Sequence, residues 1–281
     1  MQDYTITGEQ LQAFRQRLVW EEKSPATIEK YLRDAADFTA WLDGRAASKA
    51  AAGAWKAALL EAKLAPATIN VKLAAVNRFL VFLGWPAFRV KPLRIQRRLF
   101  RDAGRELTKS DYQSLLDAAC RLGRERLGLL VETIGATGIR VSEVRYITVE
   151  AVRQGKAEVS LKGKIRVILL PGKLCRKLLK YAQKQKTASG AIFRTKSGKE
   201  LGRRQIWAEM KSLCKYAGVM PGKVFPHNLR HMFATVFYRA CRDIVKLSDL
   251  LGHSSIETTR IYLLTSGAEH QRTLDRLGLI S

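Results

Sequence analysis

The sequence predicts a mainly α fold with one small antiparallel β-sheet, divided into an N-terminal four-helix bundle and a C-terminal α+β domain. Three observations predict it. Apolar residues recur at three- and four-residue spacing through most of the chain, and that period falls to two only around residues 159–169. A stretch rich in proline and arginine, residues 86–106, separates the two patterned halves. A length of 281 residues gives each half enough chain to bury its own core.

Residues 7–20 read as one helix. Ser24-Pro25 starts a second, with a capping serine and a proline at the first helical position; Ile28, Tyr31, Leu32, Ala35, Phe38 and Leu42 then recur at helical spacing until Gly44. An alanine-rich helix over 47–63 follows, and a fourth begins after Ala65-Pro66, with Ile69, Leu73, Val76, Leu80 and Leu83 as its apolar stripe. Together they predict a bundle over residues 1–85. Residues 86–106 hold Pro86, Pro92 and Gly104 among Arg89, Lys91, Arg94, Arg97, Arg98, Arg101 and Arg105, and proline with charge but no periodicity predicts a linker. Arg97, Arg98 and Arg101 are candidates to lie along a phosphate backbone, against the alternative of a solvated linker with incidental charge.

The second domain spans 107–281. Thr108 or Ser110 caps a helix to about Arg121, and an apolar helix runs through Leu127, Leu130, Val131 and Ile134. Gly135 and Gly138 are expected to bracket a turn, after which Arg140 opens another helical stretch. Val159, Leu161, Ile165, Val167 and Leu169 alternate with polar neighbours, which predicts a hairpin around Lys162-Gly163-Lys164. Helical spacing resumes from Lys173, with loops near Ser189-Gly190 and Lys196-Ser197-Gly198. His227 follows Pro226 at the start of a helix whose buried side is expected to be Leu229, Phe233 and Val236, with Arg230 off that stripe. The next helix closes at Leu251-Gly252. Ser254-Ser255-Ile256-Glu257 has the pattern of a capping box, which places Tyr262 about two turns into a fresh helix. A short tail helix carries Leu274, Leu277, Leu279 and Ile280.

A formal charge of +25 and a pI near 10.3 call for a polyanionic partner, most simply nucleic acid. The excess is uneven: residues 1–85 hold 11 basic against 9 acidic side chains, and the remainder hold 39 against 16. Charge limits the partner and leaves the reaction open. Cys120, Cys175, Cys214 and Cys241 show no metal-ligand spacing and read as buried or half-buried thiols in a reducing compartment, so neither a metal nor a cofactor is expected. The N-terminus lacks the regions of a signal peptide, and no apolar run approaches the length of about twenty that spans a bilayer. Cytoplasmic residence without a membrane partner is the expectation.

Three of the four histidines fall within residues 227–253, shortly before Tyr262. A phenol, with an unperturbed pKa of about 10, needs a base or cationic neighbours to become a nucleophile. His227 and Arg230 offer both. Negative charge on a phosphoryl group suits guanidinium forks, and Arg140 supplies a second, with Glu143 three residues later able to hold it in place. This set suits attack on a phosphodiester without a metal. His231 reads as a structural hydrogen-bonding residue, and His270 as solvated. An isolated tyrosine on a helix or lysine at a hairpin tip would ordinarily be buried with a partner or solvated, respectively.

In their order and spacing, Thr137-Gly138-Ile139-Arg140-Val141-Ser142-Glu143, His227-Asn228-Leu229-Arg230-His231, Leu251-Gly252-His253 and Tyr262 resemble the tyrosine recombinase (phage integrase) family. The resemblance runs motif by motif from about Leu107 onward and in general layout before it. It implies a catalytic set of Arg140, Lys164, His227, Arg230, His253 and Tyr262, with Glu143 supporting. It also implies a core-binding, SAM-like DNA-binding domain over 1–85 and a catalytic domain over 107–281. The implied activity is site-specific recombination of double-stranded DNA through a 3′-phosphotyrosyl intermediate and a four-way junction, by a homotetramer. In this reading the tail docks in a neighbouring subunit, with packing in cis as the alternative. Lys162-Gly163-Lys164-Ile165-Arg166 is a residue shorter than the family's usual GKGxKxR turn, which leaves Lys162 as an alternative to Lys164. Type IB topoisomerase-like cleavage and rejoining, and a basic DNA-binding protein without catalysis, are the competing functions.

Overall fold

In a computed structural model that describes residues 4–95, 103–161, 164–195, 197–253, 255–262 and 275–276, the side chains of Ala103, Leu161 and Lys164 excepted, the elements fall into two units, Met1–Arg97 and Arg98–Ser281. The first opens with a capping box: the Thr7 hydroxyl accepts from the Gln10 amide, and the Gln10 side chain accepts from that of Thr7. This starts α1 (Gly8–Trp20). Proline occupies the first turn of both α2 (Pro25–Leu42) and α4 (Pro66–Phe82), while Ser48 caps α3 (Lys49–Glu61) through the Ala51 amide. Ser24 makes no capping hydrogen bond, so the preset φ of Pro25 marks that start. The four helices close over Phe14, Leu18, Phe38, Trp55, Ile69, Phe79 and Leu80.

The stretch read as a linker begins on this bundle. Pro86–Phe88 form a 3-10 turn, and Val90 and Leu93 pack against the core. Asn77 donates to the Val90 carbonyl at 2.9 Å and accepts from its amide at 3.0 Å. Asn70, two turns earlier on α4, treats Leu93 likewise at 2.9 and 2.7 Å. Each carboxamide pairs with the passing backbone as an adjacent strand would. Arg97, Arg98 and Arg101 lie outside the described residues.

In the second unit, Thr108 and Asp111 form the capping box that starts α5 (Lys109–Arg121). Helix α6 (Glu125–Thr137) runs unbroken through Gly135, where a Cβ would collide with the Tyr112 ring, and ends at Gly138 with φ +61°. Gly135 is therefore a helix-packing residue, and Gly138 alone makes the turn. Val141–Tyr146 form a 3-10 segment, followed by α7 (Val149–Gln154) and the antiparallel strands β1 (Lys156–Leu161) and β2 (Lys164–Leu169), with Leu161 opposite Lys164. Then come α8 (Gly172–Lys184), α9 (Arg203–Lys211), α10 (Cys214–Ala217), α11 (Pro226–Cys241), α12 (Ile244–Leu251) and α13 (Ile256–Arg260). Leu130, Val131 and Ile134 of α6 form the middle of a core that also takes Leu115, Leu178, Ile206 and Leu229.

Several local expectations are corrected. Val236 is exposed and Phe233 half-buried, while Arg230 is buried with Leu229 and Met232, because α11 turns its arginine inward toward polar partners. On β2 the alternation is inverted: Ile165, Val167 and Leu169 face solvent, and Arg166 and Ile168 face inward. Ser255 caps α13, which stops at Arg260 and leaves Tyr262 just beyond its end. Cys120 is exposed. No helix among the described residues is long and apolar enough to cross a membrane.

Candidate active site

The site is built on the C-terminal end of α12. The last carbonyls of a helix lack partners inside it and carry the negative end of its dipole. Here three successive ones each receive a guanidinium from a different element. Arg166 of β2 donates Nη2 to the Leu250 carbonyl at 2.9 Å, Arg230 of α11 donates Nη2 to that of Leu251 at 2.7 Å, and Arg140 donates Nη2 to that of Gly252 at 3.1 Å. Arg230 also donates Nη1 to the Gly138 carbonyl, exposed by the turn that ends α6.

Beneath this fan lies Glu143, 2% exposed. Its Oε1 accepts from Arg140 Nη1 at 2.8 Å and its Oε2 from the Arg140 amide at 2.8 Å, while Arg166 Nη1 reaches both oxygens at 3.1 and 2.9 Å. The pairing of Arg140 with Glu143 is as expected from their spacing; the second arginine on the same carboxylate is not. In the sequence Arg166 fits the polar side of the alternating strand and gives no sign of an inward role. Its Nε is buried and has no hydrogen-bond partner among the described residues. Gly252 lets it through, since a Cβ at that position would overlap the Arg166 side chain.

Among the described residues, Glu143 is the one carboxylate in this cluster, paired with Arg140 and Arg166. The cluster is left with net positive charge. Burial first, then Arg140 and Arg166, push Arg230 down to about 10, while the Tyr262 side chain, hydrogen-bonded to it, acts in the opposite sense. It stays protonated at neutral pH. Burial likewise lowers Arg166, against the opposing pull of Glu143.

His253 follows the Gly252 cap. Its Nε2 lies 2.9 Å from Arg230 Nη2 and its Nδ1 2.8 Å from the hydroxyl of Thr259, a fully buried residue on α13. Because guanidinium only donates, Nε2 is the acceptor and Nδ1 carries the proton. Burial first, then Arg230, Arg140, Arg166 and His227, hold its pKa down to about 4, so the ring is neutral near pH 7. His227, at the start of α11, reaches solvent; the protein atoms around it and then Arg230 lower its pKa as well. A neutral imidazole is able to accept a proton.

Tyr262 completes the cluster. It is 2% exposed, with its ring stacked on His253 at 5.8 Å between centroids and edge-on to His231 at 5.0 Å. His231, left out of the catalytic set, thus packs against the tyrosine. Arg140, Glu143, Arg230, His253 and Tyr262 converge as expected, and His227 lies one helical turn before Arg230. Lys164 opens β2 two residues before Arg166, with its side chain outside the described part; Lys162 lies outside the described residues altogether. Such an arrangement can hold a phosphate between guanidiniums with a phenol and a neutral imidazole at hand.

The profile of the phage integrase family matches residues 105–268, and that of the phage integrase N-terminal SAM-like domain matches residues 11–86. Tyrosine recombinase XerD of Xanthomonas campestris pv. campestris is 33% identical, over 94% of this chain and 90% of that protein. Tyrosine recombinase XerA of Pyrococcus furiosus is 27% identical, over the whole of this chain and 98% of its own. The fold is similar to that of XerH site-specific recombinase in a post-cleavage complex with palindromic difH substrate, with a TM-score of 0.72, 17% identity and coverage of 97% and 84% of the two chains. It is also similar to a lambda integrase dimer bound to a core site, with a TM-score of 0.70, 16% identity and coverage of 91% and 94%.

Proposed function

From the premise that this chain belongs to the phage integrase family of tyrosine recombinases, enzymes that cleave and rejoin DNA, we propose that it recombines specific sites through a 3′-phosphotyrosyl intermediate at Tyr262. His227 takes the phenolic proton. The Tyr262 oxygen bonds to the scissile phosphorus as the bond from phosphorus to the 5′ oxygen breaks, and Lys164 delivers a proton to that oxygen, a strongly basic leaving group. Arg140 and Arg230 hold the non-bridging oxygens, where charge builds up. In the free protein His253 occupies Arg230 as an acceptor; an incoming phosphate oxygen replaces it, and the phosphate charge favours a proton on the vacated nitrogen, which then donates.

The ester to tyrosine conserves the energy of the original phosphodiester. Attack by another strand's 5′-hydroxyl reverses the step without nucleotide or metal, and two sequential exchanges through a four-way junction on a homotetramer recombine two sites. The enzyme acts in the cytoplasm, on nucleoid DNA. The observation that carries this reading is the meeting of Arg140, Arg230, His253 and Tyr262 from separate elements, with net positive charge. The test is trapping on a nicked duplex whose cleaved end diffuses away. A protein–DNA adduct that survives denaturation is expected, and Tyr262→Phe should bind the duplex and give no adduct. An adduct persisting in that variant would remove Tyr262 from the nucleophile's role. The SAM-like match over residues 11–86 favours recombination over topoisomerase action; site-independent relaxation of supercoiled plasmid would reverse that preference.

A further inference from the structure

The inverted strand β2 raises a question that the proposed chemistry leaves unanswered: why three aliphatic side chains, Ile165, Val167 and Leu169, face solvent at 79%, 44% and 62% exposure while an arginine between them turns inward. Arg166 is 10% exposed at its side chain, and the Gly252 backbone is shaped to let it pass. Its two terminal nitrogens go to different places. Nη1 pairs with Glu143, which also holds Arg140, and Nη2 pairs with the Leu250 carbonyl at the end of α12, three residues before His253. One side chain of the hairpin is thus tied both to the support of Arg140 and to the turn that presents His253.

Resting on the reading of Lys164 as the acid, we propose that Arg166 is a positioning residue: it draws β2 onto the guanidinium cluster and so sets the distance between the hairpin lysine and the scissile phosphate. Lys164 is two residues from Arg166 on the same strand, at its first position and paired with Leu161 of β1. Strand β1 holds the hairpin from one side by its ladder. Arg166 holds it from the side of the site, through Glu143 and the Leu250 carbonyl. Its action on the reaction is through the proton that Lys164 delivers to the departing 5′ oxygen.

A substrate with sulfur in place of that bridging oxygen tests this directly, because a thiolate leaves without needing an acid. Cleavage rates are measured by single-turnover trapping with the full-length protein on both substrates, for the unsubstituted chain, Arg166→Ala, Arg166→Met and Lys164→Ala. On the oxygen substrate, Arg166→Ala and Arg166→Met should fall on the order of a hundredfold, within the range of a lost general acid. On the sulfur substrate all three variants should return to within a few-fold of the parent. Arg166→Met retains the bulk of the stem, and full cleavage of the sulfur substrate itself shows that a variant is folded. If Lys164→Ala is restored by sulfur and the Arg166 variants are not, the positioning role is wrong and the lysine's role stands. If Lys164→Ala is not restored, the lysine is not the acid and the inference falls with that reading.

Discussion

Replacing Glu143 by glutamine tests the base of the site most severely. The carboxylate makes four close contacts, two at each oxygen: Arg140 Nη1 at 2.8 Å and Arg166 Nη1 at 3.1 Å on Oε1, and the Arg140 amide at 2.8 Å and Arg166 Nη1 at 2.9 Å on Oε2. Each of these partners is a donor. Whichever way a glutamine amide is turned, one of its two positions becomes an NH2 group facing donors, and the buried cluster also loses its carboxylate charge. Removing one partner of a buried, hydrogen-bonded ion pair costs about 3–5 kcal/mol, a large part of the roughly 5–15 kcal/mol that holds a domain together. Glu143→Asp keeps the charge but is one methylene short of spanning both arginines, so its loss should be intermediate.

The assay is hydrogen exchange in increasing urea, read at amides of α6 and β2, because a global signal would mix the two units. Glu143→Gln should lower the opening free energy of those amides by about 3–5 kcal/mol and leave α4 unchanged. Covalent trapping should fall more than DNA binding, since Arg140 loses its orientation while the charge of the surface persists. Protection within about 1 kcal/mol of the parent, together with an unchanged cleavage rate, would refute the view that this carboxylate organises the arginines.

Gly252→Ala places a Cβ at φ +61° and against Arg166; the left-handed conformation alone costs roughly 1–2 kcal/mol, and a double-mutant cycle with Arg166→Ala should be non-additive, so additive losses in unfolding free energy would contradict the overlap. His253 is held down to about 4 against 6.5 in an unfolded chain, so its stabilising contribution is complete above pH 6.5 and is lost as the pH falls from there through 4. After allowance for solvent screening this is worth about 1–2 kcal/mol, and pH-dependent melting should flatten over that window in His253→Gln. Neutralising Arg97, Arg98 and Arg101 together should lower the slope of log affinity for duplex DNA against log salt by up to about 2.7 if each meets a phosphate; an unchanged slope in titrations at several salt concentrations would assign them to solvent.

Much of the fold is legible because it rests on local signals. Pro25 and Pro66 mark helix starts, Thr108 and Asp111 cap one another, and the change of period at 159–169 announces the hairpin. What the sequence conceals depends on partners far away along the chain. Gly135 resembles a turn glycine until Tyr112 is seen to need its space. Val236 fits the apolar stripe of α11, yet that helix buries Arg230 because Gly138, Leu251 and His253 supply polar partners from 92, 21 and 23 residues away. The stretch after Pro86 reads as a linker because neither proline nor charge discloses that Asn70 and Asn77 will hold its backbone. In the site, charge and nucleophile types are visible one by one, and the motif order makes them a set. The second arginine on Glu143 is not visible, since only the folded hairpin brings residue 166 within reach of residue 143.

The arrangement of the three arginines also bears on how a protein keeps a cluster of like charges ready for an anion. Bare guanidiniums this close would repel and splay, and a full complement of carboxylates would neutralise them and compete with the substrate. Here one carboxylate and a row of main-chain carbonyls share the task. Carbonyls at a helix end carry only partial charge, so they fix the direction of each fork while leaving most of its field for a phosphate. Their spacing is that of the backbone itself, which side-chain motion cannot alter, and Gly252 turns the last of them toward Arg140 through a left-handed cap. His253 comes next along the same turn and is held neutral by those arginines. The short helix α12 therefore sets the angles of the guanidiniums, the place of the imidazole and the protonation state of that imidazole together, which is why a change in its final turn should disturb binding of the transition state more than binding of DNA.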